Sequence, residues 1–177
     1  MSGPASGLDH LWAGWRSHYI SSVSGGPAPE CPFCAILASG KPDEETHILW
    51  RHPGGLAVAI LNLYPYTSGH LMVLPTRHVG ELESLSPPES AAVWQGMADA
   101  VRALKAVFQP DGLNAGANLG RAAGAGVPGH FHVHVLPRWV GDTNFMTTVA
   151  DARVLPEPLS ETGSRLRAAW PAAPPAP

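Results

Sequence analysis

His130-Phe131-His132-Val133-His134-Val135-Leu136-Pro137 is the stretch on which the reading of this chain turns. Side chains alternate between the two faces of a strand, so a strand here sends all three histidines one way. Phe131, Val133 and Val135 then face the other way, into a core. Three imidazoles on one face support two chemistries. Together they chelate one metal ion, as neutral imidazole does readily. Alternatively one is a nucleophile, and its neighbours orient it and bind the anion it attacks. The run before the strand, Asn118 to Gly129, favours the second. Its glycines and alanines allow close backbone approach to a polyphosphate, with N–H donors and little side-chain bulk.

Outward from this strand, the pattern builds an α+β fold, a mainly antiparallel five-stranded sheet with a long helix and a short N-terminal helix, the helices lying on one face. Thr46 to Arg51 and Leu56 to Leu61 read as strands separated by His52-Pro53-Gly54-Gly55. Gly69 to Pro75 is the third strand, Gly112 to Leu119 the fourth and Phe131 to Trp139 the fifth. Cys31 to Leu37 forms one or two helical turns. Ser86-Pro87-Pro88-Glu89 fits a capping box with proline at the first helical position. Behind it Trp94, Met97, Val101, Leu104 and Phe108 recur at steps of three and four, a core-facing stripe. Leu8 to Ile20 reads as a short helix with an aromatic face, Leu11, Trp12, Trp15 and Tyr19. Val149 to Leu155 reads as a short edge strand. Three segments result: an extension over 1–30, a domain over 31–158, and a partly disordered tail over 159–177.

The composition narrows the function. The 177 residues are 45% hydrophobic and 14% charged, with a formal net charge of -3. A chain of this length buries one core. The slight negative charge argues against nucleic-acid binding, which needs a basic face. It leaves room for a phosphate-bearing small molecule held by backbone N–H groups. Nothing resembles a basic-then-apolar leader or the ~18 apolar residues of a membrane span. The expectation is a cytoplasmic protein without a membrane partner. Cys31 and Cys34, the two cysteines present, have the spacing of a metal or redox pair and no disulfide framework. His47 and His70 read as strand-end or core histidines, and His10, His18 and His52 as surface residues.

Taken together, the His-x-His-x-His strand, Cys31-Pro32-Phe33-Cys34, Asn62-Leu63-Tyr64-Pro65-Tyr66, Gly69-His70-Leu71-Met72-Val73, Asn118-Leu119-Gly120-Arg121 and Leu136-Pro137-Arg138-Trp139 resemble the histidine triad (HIT) superfamily. The resemblance is to its bacterial branch related to diadenosine tetraphosphate phosphorylases. It implies that His132 attacks the α-phosphorus to give a nucleotidyl-histidine intermediate, with His134 stabilising charge at the scissile phosphate. Asn62 would contact the ribose and Asn118 the phosphates. Many relatives carry a Gln or Ser side chain just before the triad; Gly126-Val127-Pro128-Gly129 stands there instead. Backbone N–H groups of Ala125, Gly126 and Val127 are the substitutes, since Pro128 has none. The resemblance further implies a structural zinc held by Cys31, Cys34, His78 and His130, no organic cofactor, and a homodimer or tetramer. Trp139 and the segment to Phe145 would reach the substrate. The acceptor is inorganic phosphate in a phosphorylase or water in a hydrolase. A nucleoside phosphoramidate hydrolase and a His-cluster metalloenzyme are the alternatives.

Overall fold

The computed structural model describes residues 31–142 and 157–172. In chain order these form α1 (Pro32–Ala38), α2 (Asp43–Thr46), β1 (Ile48–Arg51), β2 (Ala57–Leu61), β3 (Leu71–Pro75), α3 (Pro87–Phe108), β4 (Gly112–Gly116), β5 (Val133–Arg138) and α4 (Leu159–Ala169). The strands make one five-stranded sheet in the order β1-β2-β3-β5-β4, every pair antiparallel. The histidine strand is therefore interior, with Met72 of β3 opposite His134 on one side and Gly116 of β4 on the other. The helix and strand expected over Leu8–Ile20 and Val149–Leu155 lie outside the described residues.

Strand alternation sorts the sheet into two apolar layers. Ala57, Ala59, Leu61, Leu71, Val73 and Val135 join Ala100, Ala103 and Leu104 of α3 and Leu166 of α4 in the larger cluster. Val58, Ile60, Met72 and Leu74 face the other way and pack with Phe33 of α1. Each buried Val, Leu, Ile, Met or Phe among them is worth about 1.5–3 kcal/mol. Helices therefore cover both faces, not one, and α1 lies on the histidine side.

The capping box forms as its sequence predicts. The Ser86 side chain accepts from the Glu89 N–H at 3.4 Å, and the Ser86 N–H donates to the Glu89 carboxylate at 2.8 Å. The face that α3 buries is offset from the apolar stripe: it shares Leu104, and Met97, Val101 and Phe108 pack partly buried against its edge. Ala92, Val93, Gly96, Ala100, Ala103 and Leu104 are buried, whereas Trp94 is 70% exposed. At 100° per residue the buried face is centred roughly a third of a turn from the stripe. Small residues win because the helix lies close to the sheet: a Cβ on Gly96 would stand 2.8 Å from Trp50 and 2.9 Å from Val73.

Four strand ends also move, by two or three residues. β1 begins at Ile48 because Thr46 closes α2 and His47 takes a left-handed φ of 60°. β3 starts after Gly69, whose φ of +84° breaks the extended run. On β5, pairing begins only at Val133. Continued in that register, Leu74 would face His132 and Pro75, which has no N–H to offer, would face Phe131. The Phe131 N–H turns instead to the Val79 carbonyl at 2.6 Å. β4 ends at Gly116, short of Leu119.

The segment after 158 is not merely a tail. Its first part is α4, with Leu166 fully buried in the main cluster and Thr162 and Gly163 also buried. Small and polar residues at these inward positions hide the helical period from a hydrophobicity pattern.

Candidate active site

The chain leaving Gly129 passes His130 and His132 before it joins the sheet, and both are buried, at 0% and 5% exposure. Alternation survives this unpaired stretch: Phe131 enters the main core, while the histidine rings sit on the α1 side against Phe33, whose ring centroid is 5.4 Å from His130 and 5.2 Å from His132. The His132 Nδ1 lies 2.8 Å from the His130 carbonyl oxygen. A carbonyl only accepts, so Nδ1 carries the proton and Nε2 keeps its lone pair. Burial pushes the His132 pKa below the ordinary imidazole value, with the carbonyl bond pulling weakly the other way. His132 is thus a neutral imidazole with its basic nitrogen fixed.

His134 is fixed by a partner that the sequence reading had left in the core. His70 is fully buried, and its Nε2 is 3.0 Å from the His134 Nδ1. The His70 Nδ1 accepts from the Tyr66 backbone N–H at 3.0 Å, so its proton resides on Nε2 and is donated to His134. His134 consequently holds its own proton on Nε2. A donor in this place is able to stabilise charge that accumulates on the oxygens of a bound phosphoryl group. His70 was missed because its position just before β3 is bland by itself. The strand order β3-β5, which brings it to the triad, is the missing information.

The loop between β2 and β3 frames this pair. The Asn62 Oδ1 accepts from the Tyr64 N–H at 3.0 Å, and its Nδ2 stands 3.3 Å from the His70 Nδ1. Asn62 is therefore both a turn residue and a neighbour of the site. Asn118 donates from Nδ2 to the Gly124 carbonyl at 3.3 Å, closing the glycine-rich loop. In that loop the Ala125 N–H is engaged by the Gly120 carbonyl at 3.2 Å. Of the three N–H groups expected to grip phosphate at 125–127, the turn thus engages the Ala125 donor. Trp139 packs edge-on against Phe108 at 6.3 Å, and Phe145 lies outside the described residues.

Cys31, Cys34, His78 and His130 converge into a second group. Their ligand atoms all lie within 4.8 Å of one another. Cys31 Sγ is 3.3 Å and Cys34 Sγ 3.6 Å from the His130 Nδ1, and Cys34 Sγ is 3.3 Å from the His78 Nδ1. Such spacings suit a tetrahedron with bonds of about 2.0–2.3 Å. The His130 Nε2 meets the Pro75 carbonyl at 2.9 Å. That bond takes the ring proton and turns a bare Nδ1 to the thiols, the outer-sphere arrangement metal-bound histidines use. The donor set fits a closed Cys2His2 zinc site.

With this geometry the chain matches the family model described as HIT domain over residues 41–140. The chain belongs to the HIT family. A HIT relative from Mycobacterium tuberculosis named AP-4-A phosphorylase is 41% identical over 169 residues, 92% of this chain and 85% of its own length. The asymmetrical bis(5'-nucleosyl)-tetraphosphatase of Schizosaccharomyces pombe is 36% identical over 87 residues, 49% of this chain and 47% of that protein. Among solved structures, a Zn-bound histidine triad family protein from Mycobacterium smegmatis aligns with a TM-score of 0.63 at 32% identity, over 79% of this chain and 92% of that one. The family fold, a five-stranded antiparallel sheet with helices, agrees with the α+β expectation.

Proposed function

We propose that this HIT enzyme cleaves dinucleoside polyphosphates of the diadenosine tetraphosphate type through a covalent nucleotidyl-His132, released by inorganic phosphate. The observation that carries the reading is the 2.8 Å bond from the His132 Nδ1 to the His130 carbonyl, which leaves a desolvated Nε2 lone pair. That nitrogen attacks the α-phosphorus and the P–O bond to the leaving nucleotide breaks, the oxygen departing with the electron pair as ATP. An oxygen of phosphate then attacks the same phosphorus, the N–P bond breaks, and ADP leaves. The His134 Nε2–H, held by His70, stabilises the charge that builds on the phosphoryl oxygens. Gly126 and Val127 N–H groups and Asn118 hold the chain of phosphates. Asn62, with one acceptor lone pair and one amide hydrogen beyond its internal contacts, holds the ribose.

Zinc is proposed for the Cys31, Cys34, His78 and His130 set, and its part is structural: four protein ligands leave no position for a reacting group. Because His130 turns its Nδ1 to the thiols and His132 gives its Nδ1 proton to a carbonyl, the geometry favours a nucleophile over a three-histidine metal. A homodimer is supported by β4, an edge strand whose last three residues are exposed, and by the exposed Trp94 of α3. A cytoplasmic setting is consistent with the described helices, none of which is long and apolar enough to cross a membrane.

The decisive experiment incubates the protein with α-labelled diadenosine tetraphosphate, traps the adduct at alkaline pH and maps it. Label on His132 and phosphate-dependent formation of ADP and ATP are expected. Rapid turnover without phosphate giving AMP and ATP would make it a hydrolase, as the name of the fission-yeast relative suggests for that protein. Absence of label with chelator-sensitive turnover would overturn the covalent route.

A further inference from the structure

Tyr66 meets the His70–His134 pair twice. Its backbone N–H donates to the His70 Nδ1 at 3.0 Å. Its ring centroid lies 4.5 Å from His70 and 6.1 Å from His134, the latter at 25° between planes. The two imidazoles are themselves 5.1 Å apart, so the three rings form one stack-and-tilt group. One loop residue thus supplies apolar cover for the pair and, beside the longer Asn62 amide contact at 3.3 Å, the shorter bond that fixes the tautomer. Loop side chains ordinarily turn to solvent; this one is half-buried against two histidines.

We propose that Tyr66 is a positioning residue of the reaction: its N–H keeps His70 in the Nε2–H form, and its ring keeps water off the bond between His70 and His134. The proposal rests on reading His132 as nucleophile and His134 as charge stabiliser. A neutral imidazole has two tautomers, and a water reaching the His134 Nδ1 would compete with His70 for it. The tautomer with the proton on Nδ1 would present a bare Nε2 lone pair to a phosphoryl oxygen, a repulsive contact where a donor is needed. Hydrogen bonds screened from water are stronger than exposed ones, which gives the ring leverage over which tautomer prevails. The backbone donor survives any side-chain replacement, so substitution isolates the role of the ring.

The test compares Tyr66→Ala, Tyr66→Gln and Tyr66→Phe in the full chain by two measurements. Two-bond 1H–15N correlation spectra of the substrate-free protein report the tautomer of each imidazole. Single-turnover labelling with diadenosine tetraphosphate reports the first chemical step. In wild type and Tyr66→Phe, His70 and His134 each show a single Nε2–H pattern. In Tyr66→Ala, His134 shows an averaged pattern, and labelling slows roughly tenfold while KM changes less than about twofold. Tyr66→Gln keeps side-chain length at this half-buried position and gives the same reading should the alanine variant lose its fold. Unchanged tautomers and rates in the Ala and Gln variants overturn the proposal, as does a Phe variant as slow as Ala, which would move the role to the hydroxyl. If wild type carries no label on His132, the parent reading fails, and the spectra still decide whether Tyr66 sets the tautomers.

Discussion

The His130 carbonyl oxygen accepts the Nδ1 proton of His132 at 2.8 Å, while the ring of the same His130 turns its Nδ1 to the thiols of Cys31 and Cys34. One residue therefore joins the proposed metal site to the proposed nucleophile, through its side chain on one side and its backbone on the other.

Removing the nucleophile should separate chemistry from binding. His132→Gly is expected to lower kcat on diadenosine tetraphosphate by on the order of 10^4-fold or more, as loss of a nucleophile does elsewhere. Nucleotide affinity, read by calorimetry, should stay within a few-fold, because the proposed ribose and phosphate contacts lie on other residues. Turnover near the wild-type rate would reassign the nucleophile.

His70 acts through His134, whose Nδ1 it holds, so its loss should be milder than loss of the nucleophile. His70→Leu removes the donor to the His134 Nδ1. Steady-state kinetics should show kcat reduced about 10^2-fold with KM little changed.

The cysteine–histidine group predicts metal content and stability together. Protein purified without chelator should contain about one zinc per chain by elemental analysis. Cys34→Ser, or stripping with a strong chelator, should lower Tm by on the order of 10 °C, because binding energy at a closed site is folding energy. Metal-free protein of unchanged Tm would contradict the assignment.

Acid should weaken the anchoring of α3 in a defined window. Glu89 takes a two-pronged bond from Arg77, at 2.7 and 2.8 Å, and one from the Ser86 N–H. These hold its carboxyl down from 4.5 to about 2, the Arg77 bond contributing most. A depressed carboxylate stabilises the fold above its unfolded pKa, and the contribution disappears as pH falls through the folded one. The Tm advantage of wild type over Glu89→Gln should be full at pH 7 and shrink between pH 4.5 and about 2.

Gly96 tests why α3 buries its small residues. In Gly96→Ala the new Cβ would press on Trp50 at 2.8 Å and Val73 at 2.9 Å. Overpacking costs about 1–3 kcal/mol and the helix-propensity gain returns about 1. Denaturant unfolding should show a net loss of up to about 2 kcal/mol.

Much of this was legible along the chain. The capping box, the alternation about His132 and the Cys31–Cys34 spacing are local, and each forms as its sequence implies. The errors share one cause, a property that depends on a neighbour distant in sequence. Trp94 is exposed because the sheet requires small residues on the helix above it. α4 was hidden because Thr162 and Gly163 fill positions where hydrophobic residues are expected.

By itself the sequence determined which side chains gather: imidazoles at every second position share one face of a strand whatever surrounds it. Only the tertiary structure decided which nitrogen of each one bears its proton. His130, His132 and His134 are equivalent in the sequence, and their different partners set three different proton positions: the Pro75 carbonyl, the His130 carbonyl and His70. A neutral imidazole's function lies in which nitrogen bears its proton, and that is fixed by the atom facing it.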